Sequence, residues 1–597
     1  MGRAATGTAL VMAALVGAAA VSVLQWWSPA PSADVARGTE DAFGTGLQRR
    51  ELPPRQAPIR WTTGRARFRF EHLPRGEADL DVALAGHHGP VLVAADGVVV
   101  GVIPVGSSSA AFVLPSTPRT SRTVQLEAPV FAAGDGRLLG ARLQRVSLRP
   151  RARGLPGLAL LALFMGPAVL AVAVGLKCGL GPPGALALAV VMTAVQAAML
   201  WPSGLVRSPY SARLSLLIAV GLIGAGAFAW WIERRRPAAG RWALVAMAAA
   251  WLVQGLLATS PAMVVSDAVF HANTLARVAG GDMFPTSVTQ HVPPFRFPYG
   301  VSFYALLAPL FRAGVDGVTL VRVGAAAAGV LASAALFVVL LRGYGAATAG
   351  LAVFLLQFFP ATFDVAYSYG NLSNAFGQSA TVGFFAWWAG AAPGGWLPGV
   401  LLLASAALAH FSTLIVVLAL AAALAIARGR DLGRDRARRV ALVVGLTLAG
   451  AYYAHHAGLV VSQLPRMLEG GRGTAESGGL LSAARTQVTG AALGFGVAAI
   501  ALAWFGRPRW TGTGLDRDLA AWWIGIGLLA VPAIASPLEV RYLYALAPPL
   551  AAAAGRGAVL LHARGGLRRT LAWTLVAGQV VTGCLNLADA VLVRYRP

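Results

Sequence analysis

Ser266-Asp267-Ala268-Val269-Phe270-His271 lies between two long apolar runs, at 243–259 and 318–341, in a chain with few carboxylates. Four residues separate Asp267 from His271, so on a helix the two share a face. A titratable pair at the lip of an apolar run costs free energy and implies a use. Downstream, Arg277 precedes Gly280-Gly281-Asp282, which ends the helix, and Phe284-Pro285 turns the chain away. His291-Val292-Pro293-Pro294-Phe295-Arg296-Phe297-Pro298-Tyr299-Gly300 follows. The apolar run at 301–311 is too short to cross a bilayer, so it lies along the interface or re-enters. A loop of this length, 260–316, exceeds a simple connector.

The composition around this loop is that of a membrane protein. The chain is 57% hydrophobic and 12% charged, about half the charge of a soluble protein. Apolar runs near 155–174, 185–200, 215–231, 243–259 and 318–341 are each of spanning length or close to it. The net charge of +25 is concentrated in short loops, at Arg234-Arg235-Arg236, 428–439, 507–517 and 564–569. That is the positive-inside pattern, and no aromatic-interleaved basic platform accompanies it, which argues against nucleic acid. Cys178 and Cys584 are far apart and form no metal-binding spacing.

Residues 1–28 read as an N-terminal anchor or signal helix, ending at Trp26-Trp27. The tryptophans suit an interface and no clear cleavage site follows, which favours an uncleaved anchor. Residues 29–59, rich in Pro, Arg and Gly, read as a linker. From 60 to 150 the texture changes to short alternating runs, at 67–70, 79–84, 91–93, 98–102, 111–114, 123–126 and 142–148, separated by turns such as Ala95-Asp96-Gly97. This spacing predicts an exported β-sandwich, jelly-roll-like. Its few aromatics, Trp61, Phe68, Phe70, Phe112 and Phe131, favour a packing module over a sugar-binding face.

Residues 151–597 form the multi-span domain, for which the hydropathy pattern with the N-terminal anchor gives about 14–15 spans. Counting spans from an external 60–150 domain places loop 260–316 outside and the arginine loops inside. Other outside loops offer Tyr367, Tyr369, Asn371 and Asn374, a neutral set suited to a sugar, and Glu539 with Arg541 at the mouth of a late span. His410 and His455-His456 are read as structural.

The order Asp-x-x-Phe-His, Gly-Asp-x-Phe-Pro and Phe-Pro-Tyr-Gly-x-x-Phe-Tyr-x-Leu-x-x-Pro-Leu resembles bacterial membrane proteins of the GT-C glycosyltransferase superfamily. It is most similar to the Asp-x-x-x-His loop type, including membrane proteins described as 6-pyruvoyl-tetrahydropterin synthase-related. The match covers about 260–310 in motif and 155–590 in layout. No second acidic residue adjoins Asp267, where several GT-C families carry an acidic pair.

The resemblance implies transfer of a sugar from a polyprenyl-phosphate-linked donor to an extracytoplasmic glycan or protein acceptor. The setting would be the bacterial cytoplasmic membrane, with the active-site loops outside. Asp267 would act as base or as ligand to a divalent metal, Mg or Mn, and His271 would orient it, bind metal or contact phosphate. Arg277, Asp282, Arg296, Tyr299, Tyr369, Asn371, Glu539 and Arg541 would contact substrate or phosphate. The alternative is a non-catalytic membrane protein, a transporter or a GT-C relic serving envelope assembly. A transporter would be marked by repeated halves with interrupted spans, and neither stands out in the sequence.

Overall fold

The computed structural model describes residues 3–48, 50–51, 58–134, 136–263, 267–288, 295–363, 371–390, 395–463, 465, 480–512, 514–529 and 544–593. The fold is mostly helical with an N-terminal antiparallel sheet. It comprises two compact units, one of residues Met1–Trp231, Thr259–Val264 and Ala588–Pro597, the other of Ile232–Ala258 and Val265–Leu587.

In the first unit, α1 (Arg3–Trp27) precedes the sheet, whose strands are β1 (Ser32–Asp34), β2 (Gly44–Leu47), β3 (Arg60–Phe70), β4 (Gly76–Gly86), β5 (Val91–Ala95), β6 (Val98–Ile103), β7 (Ser109–Thr117), β8 (Arg122–Glu127) and β11 (Arg142–Pro150). A small hairpin, β9 (Phe131–Ala132) with β10 (Leu138–Leu139), stands apart, and α2 (Glu40–Phe43) sits between β1 and β2. All seven alternating runs are strands, and Asp96-Gly97, both at positive φ, make the two-residue turn between β5 and β6.

The expected two-sheet sandwich gives way to one sheet, nearly closed and barrel-like, in the order β6-β5-β8-β3-β11-β4-β7. The cause is local. β3 pairs with β8 over Arg65–Phe70 but with β11 at Arg60 and Trp61, and Gly64 between these stretches sits at φ +95. That backbone, open to glycine, lets one strand change partner and curl the sheet. Alternation then points Ala66, Phe68, Phe70, Leu80, Val82, Leu84, Val124 and Leu126 inward, all essentially buried. Each large side chain so buried contributes about 1.5–3 kcal/mol. Phe68 and Phe70 are core, not a sugar platform. Two short strands from residues read as linker also join the sheet, β1 on β11 and β2 on β3.

The first unit also holds α3 (Leu158–Lys177), α4 (Pro182–Leu200) and most of α5 (Tyr210–Arg235). α1 packs on α3 and α4. Buried Arg207, between α4 and α5, donates from Nη2 to Gln25 O at 2.9 Å, capping the carbonyl-rich end of α1.

The second unit contains α6 (Gly240–Thr259), α7 (Ala268–Ala279), the hairpin β12 (Thr286–Val288) with β13 (Arg296–Pro298), α8 (Ser302–Arg312), α9 (Gly317–Tyr344), α10 (Ala346–Leu356), α11 (Pro360–Phe363) and α12 (Leu372–Gly390). After these come α13 (Leu397–Ala407), α14 (Phe411–Arg428), α15 (Arg430–Arg434), α16 (Arg436–His455), α17 (Leu480–Phe495), α18 (Val497–Gly506), α19 (Gly514–Leu528), α20 (Ala547–Ala563) and α21 (Gly566–Ala588).

Among the described residues of the whole chain, eight helices are long and apolar enough to cross a membrane, or up to ten if two bent pairs each count as one span. The hydropathy pattern of the whole sequence led to an expectation of about 14–15. Several apolar runs fold as helices such as α10 and α13, each of 11 residues, about 16 Å long where a bilayer core needs about 30 Å. Two helix pairs bend sharply at short breaks that the sequence did not reveal. Arg436–His455 meets Ala457–Gln463 at 59°, and Val488–Phe495 meets Val497–Gly506 at 88°.

Candidate functional site

α7 begins one residue later than a shared helical face requires. Asp267 is its N-cap residue, half-buried, and its carbonyl accepts the His271 N–H at 2.9 Å. The helix stops at Gly280, and Gly281 turns at φ +106, as the sequence predicted. α8 has the 11 residues expected of the short apolar run and packs on α7 and α9, burying Phe303, Tyr304 and Leu307 while Leu306 and Leu310 stay exposed.

That packing sets the centre of the site. His271, 1% exposed, places Nδ1 2.6 Å from the hydroxyl of Tyr304, which has no exposed surface. Tyr299 stands beside both rings, 6.4 Å from His271 and 6.2 Å from Tyr304 between centroids, and its hydroxyl lies 3.2 Å from Ser373 Oγ. Phe270 packs edge-on against Tyr299 at 5.2 Å, and His410 at 5.6 Å. Burial holds the Tyr304 phenol well above its ordinary pKa, and the charge and hydrogen bond of Tyr299 push the same way. Ser373 opposes through its own hydrogen bond, and the Asp267 carboxylate adds a further upward push. Tyr304 therefore keeps its phenolic proton at physiological pH.

The Phe-Pro-Tyr-Gly segment is fixed by its backbone. Tyr299 N–H donates to Pro285 O at 2.9 Å, and Tyr299 O accepts from the Tyr452 hydroxyl at 2.7 Å. A methyl at Gly300 would fall 2.4 Å from Ala409 O, so only glycine permits this approach to the end of α13. Ser302 completes the docking, donating its N–H to Leu408 O at 3.0 Å and Oγ to Ser405 O at 2.7 Å.

The predicted residues divide clearly. Asp267, His271 and Tyr299 belong to one constellation. Asn371 is buried just before Ser373, and its Nδ2 has no hydrogen-bond partner among the described residues. Arg277 and Asp282 hold each other, Nε to Oδ2 at 3.0 Å, in an exposed pair. The pair clips the turn that follows α7. Arg296 is exposed on β13, its N–H donating to Gln463 Oε1 at 3.2 Å. Tyr369, Glu539 and Arg541 lie outside the described residues, as do Tyr367 and His291.

Asp267 was also the expected metal ligand. Among the described residues no group of three His, Cys, Asp or Glu side chains is placed to hold an ion. Nearby, His271 Nδ1 is engaged by Tyr304 and Asp282 by Arg277.

Sequence reasoning passed over Tyr304, Ser373 and Tyr452. Each is one more apolar-run aromatic or hydroxyl until the fold brings it to a partner tens of residues away. His410 is an N-cap, its Nδ1 accepting from Ser412 N at 3.2 Å. His455 stacks on Phe284 at 3.9 Å between centroids, and His456 is buried beside it. Compared with protein-family models and with curated proteins, the chain matches none.

Proposed function

We propose that this chain is an integral membrane glycosyltransferase of GT-C type, passing a sugar from a polyprenyl-phosphate carrier to an acceptor hydroxyl outside a bacterial cytoplasmic membrane. One observation carries the reading: a half-buried carboxylate, Asp267, stands beside a buried His271–Tyr304 hydrogen bond at the start of α7, next to membrane-length helices. Such a constellation costs free energy in an apolar setting and is retained where chemistry uses it.

In this reading Asp267 takes the proton of the acceptor hydroxyl as it attacks the anomeric carbon. His271 and neutral Tyr304 hold the floor beneath it. The amide of Asn371, which has no partner among the described residues, donates to a sugar oxygen. Arg296, exposed, faces the departing carrier phosphate.

The test is transfer from defined polyprenyl-phosphate sugars by the purified protein in lipid nanodiscs. Asp267→Asn should lower turnover by roughly 10²–10⁴-fold while insertion and monodispersity persist. Turnover equal to wild type in that variant would remove Asp267 from catalysis.

A second reading, transport, draws on the two bent helix pairs at 59° and 88°, since interrupted helices build substrate sites in transporters. Uptake of a sugar into proteoliposomes, without transfer from any carrier-linked donor, would favour it.

A further inference from the structure

A cavity of about 100 Å³ opens within the second unit, between α6, α9, α12 and the start of α20. Its polar lining includes Gln254, Ser333, Gln357, Gln378, Ser379 and Thr381. The hydrogen bonds these side chains already make decide what it can hold.

A serine or threonine hydroxyl has one proton to give. Ser333 gives it to Gly329 O, Ser379 to Ala375 O and Thr381 to Gly377 O, each at 2.9 Å. Gln357 directs Nε2 to both Ser333 Oγ at 3.1 Å and Val353 O at 3.2 Å, which leaves Oε1 as an acceptor. Gln378 turns its Nε2 towards Asn374 Oδ1 at 3.4 Å. The hydroxyl protons of Ser333, Ser379 and Thr381 and both amide protons of Gln357 are committed to the protein, while Gln378 has a second amide proton, so these five groups present chiefly lone pairs. Trp522 adds ring surface, its Nε1 being committed to Ala545 O at 3.0 Å.

Four ligand classes can be weighed against this lining. An apolar molecule would leave the lone pairs dry. An anion would meet acceptors. A cation would be buried without a counter-charge, because no carboxylate stands among the described lining residues. A neutral molecule rich in hydroxyl donors satisfies the lone pairs and presents C–H surface to the tryptophan ring. The volume equals roughly three waters, enough for a small polyol or one edge of a sugar ring.

We propose that this cavity binds a small neutral polyhydroxylated molecule, a polyol or the hydroxylated edge of a sugar, between α9 and α12. The site goes beyond the transfer reading and does not depend on it. α12 joins the two places physically, carrying Ser373 at one end and Gln378, Ser379 and Thr381 one to two turns further on.

The test is equilibrium binding of tritiated glycerol, myo-inositol and D-glucose to the full-length chain in lipid nanodiscs. Saturable binding of at least one is expected, uncompeted by permethylated glucose or potassium ions. Ser379→Ala and Gln378→Met should each weaken it at least tenfold. Ala332→Leu, which fills the cavity from α9 without touching a hydrogen bond, should abolish it. No saturable binding of any of the three probes overturns the inference and leaves a water-filled cavity. Competition by potassium, or wild-type binding in all three variants, overturns it equally. Asp267→Asn should bind the polyol as wild type does, so failure of the transfer reading and failure of this one are separable.

Discussion

The Tyr304 hydroxyl meets His271 Nδ1 at 2.6 Å in a pocket from which both side chains are almost wholly excluded from solvent. α7 and α8 supply one residue each, 33 positions apart, so the bond also pins the short helix α8 to the helix that Asp267 begins. Tyr304→Phe keeps the ring and removes the bond. Leaving a buried imidazole nitrogen without it should cost about 1–3 kcal/mol of stability. In the transferase reading turnover should fall roughly 10- to 100-fold through loosened positioning, with kcat affected more than KM. Because burial holds the phenol protonated, its titration should not shape the rate profile below about pH 10. Unchanged melting and turnover in Tyr304→Phe would deny the bond any part in either.

The Arg277–Asp282 pair is a discriminating control. Both side chains are substantially exposed, 51% and 36%, so the pair contributes about 0–1 kcal/mol. Arg277→Met should leave thermal stability and carrier affinity nearly unchanged. A large rise in KM for the carrier-linked donor would return Arg277 to the phosphate site.

Glu40 gives the N-terminal sheet a pH dependence. Burial pushes its carboxyl up from 4.5 to about 7, only partly opposed by Arg50, with Asp41 adding to the rise and Arg60 opposing it. The folded state therefore holds this proton more tightly than the unfolded chain does. Its contribution is full below about pH 4.5 and is lost as pH rises towards 7, amounting to about 3 kcal/mol at most. Melting of the sheet, followed by hydrogen exchange, should show stability falling over that window and levelling above it. Glu40→Gln should flatten the profile, and a profile identical to wild type would be the contrary result.

Gln579 on α21 holds the sharper of the two bends. Its Nε2 donates to Phe358 O at 2.9 Å and Phe495 O at 3.1 Å, while Oε1 accepts from Ala499 N at 3.3 Å. These are backbone groups near the break between α17 and α18, where Gly496 sits at φ +85. Gln579→Leu should destabilise by about 2–4 kcal/mol, since several buried backbone groups lose their partner. Gly496→Ala should also destabilise, because its methyl would lie 2.2 Å from Gln579 Oε1. Limited proteolysis in nanodiscs, with cleavage mapped near 495–499, reads both. Wild-type resistance in both variants would show that the bend does not need the amide.

How much of this was legible in the sequence differs by element. Alternation located every long strand of the N-terminal sheet, because a half-buried strand must repeat with period two. It did not foretell the near-closure, which depends on β3 changing partner at Gly64, a long-range pairing that no local pattern encodes. Hydropathy found the apolar runs, but a window registers composition and not where a helix breaks.

At the candidate site, Asp267 and His271 stood out because a titratable pair at the edge of an apolar run is costly wherever it occurs. That much the sequence determined, together with the membrane character of the chain and the glycine stop after α7. Tertiary structure alone decided which neighbours they have. It turned Arg277 to Asp282, brought Tyr304 and Tyr299 to His271 and Ser373 to Tyr299, and left the Asn371 amide buried without an acceptor among the described residues. The physical reason is one of range. Local pattern follows from solvation and backbone geometry within a few residues, whereas a hydrogen bond between positions 271 and 304 exists only once α7 and α8 have packed.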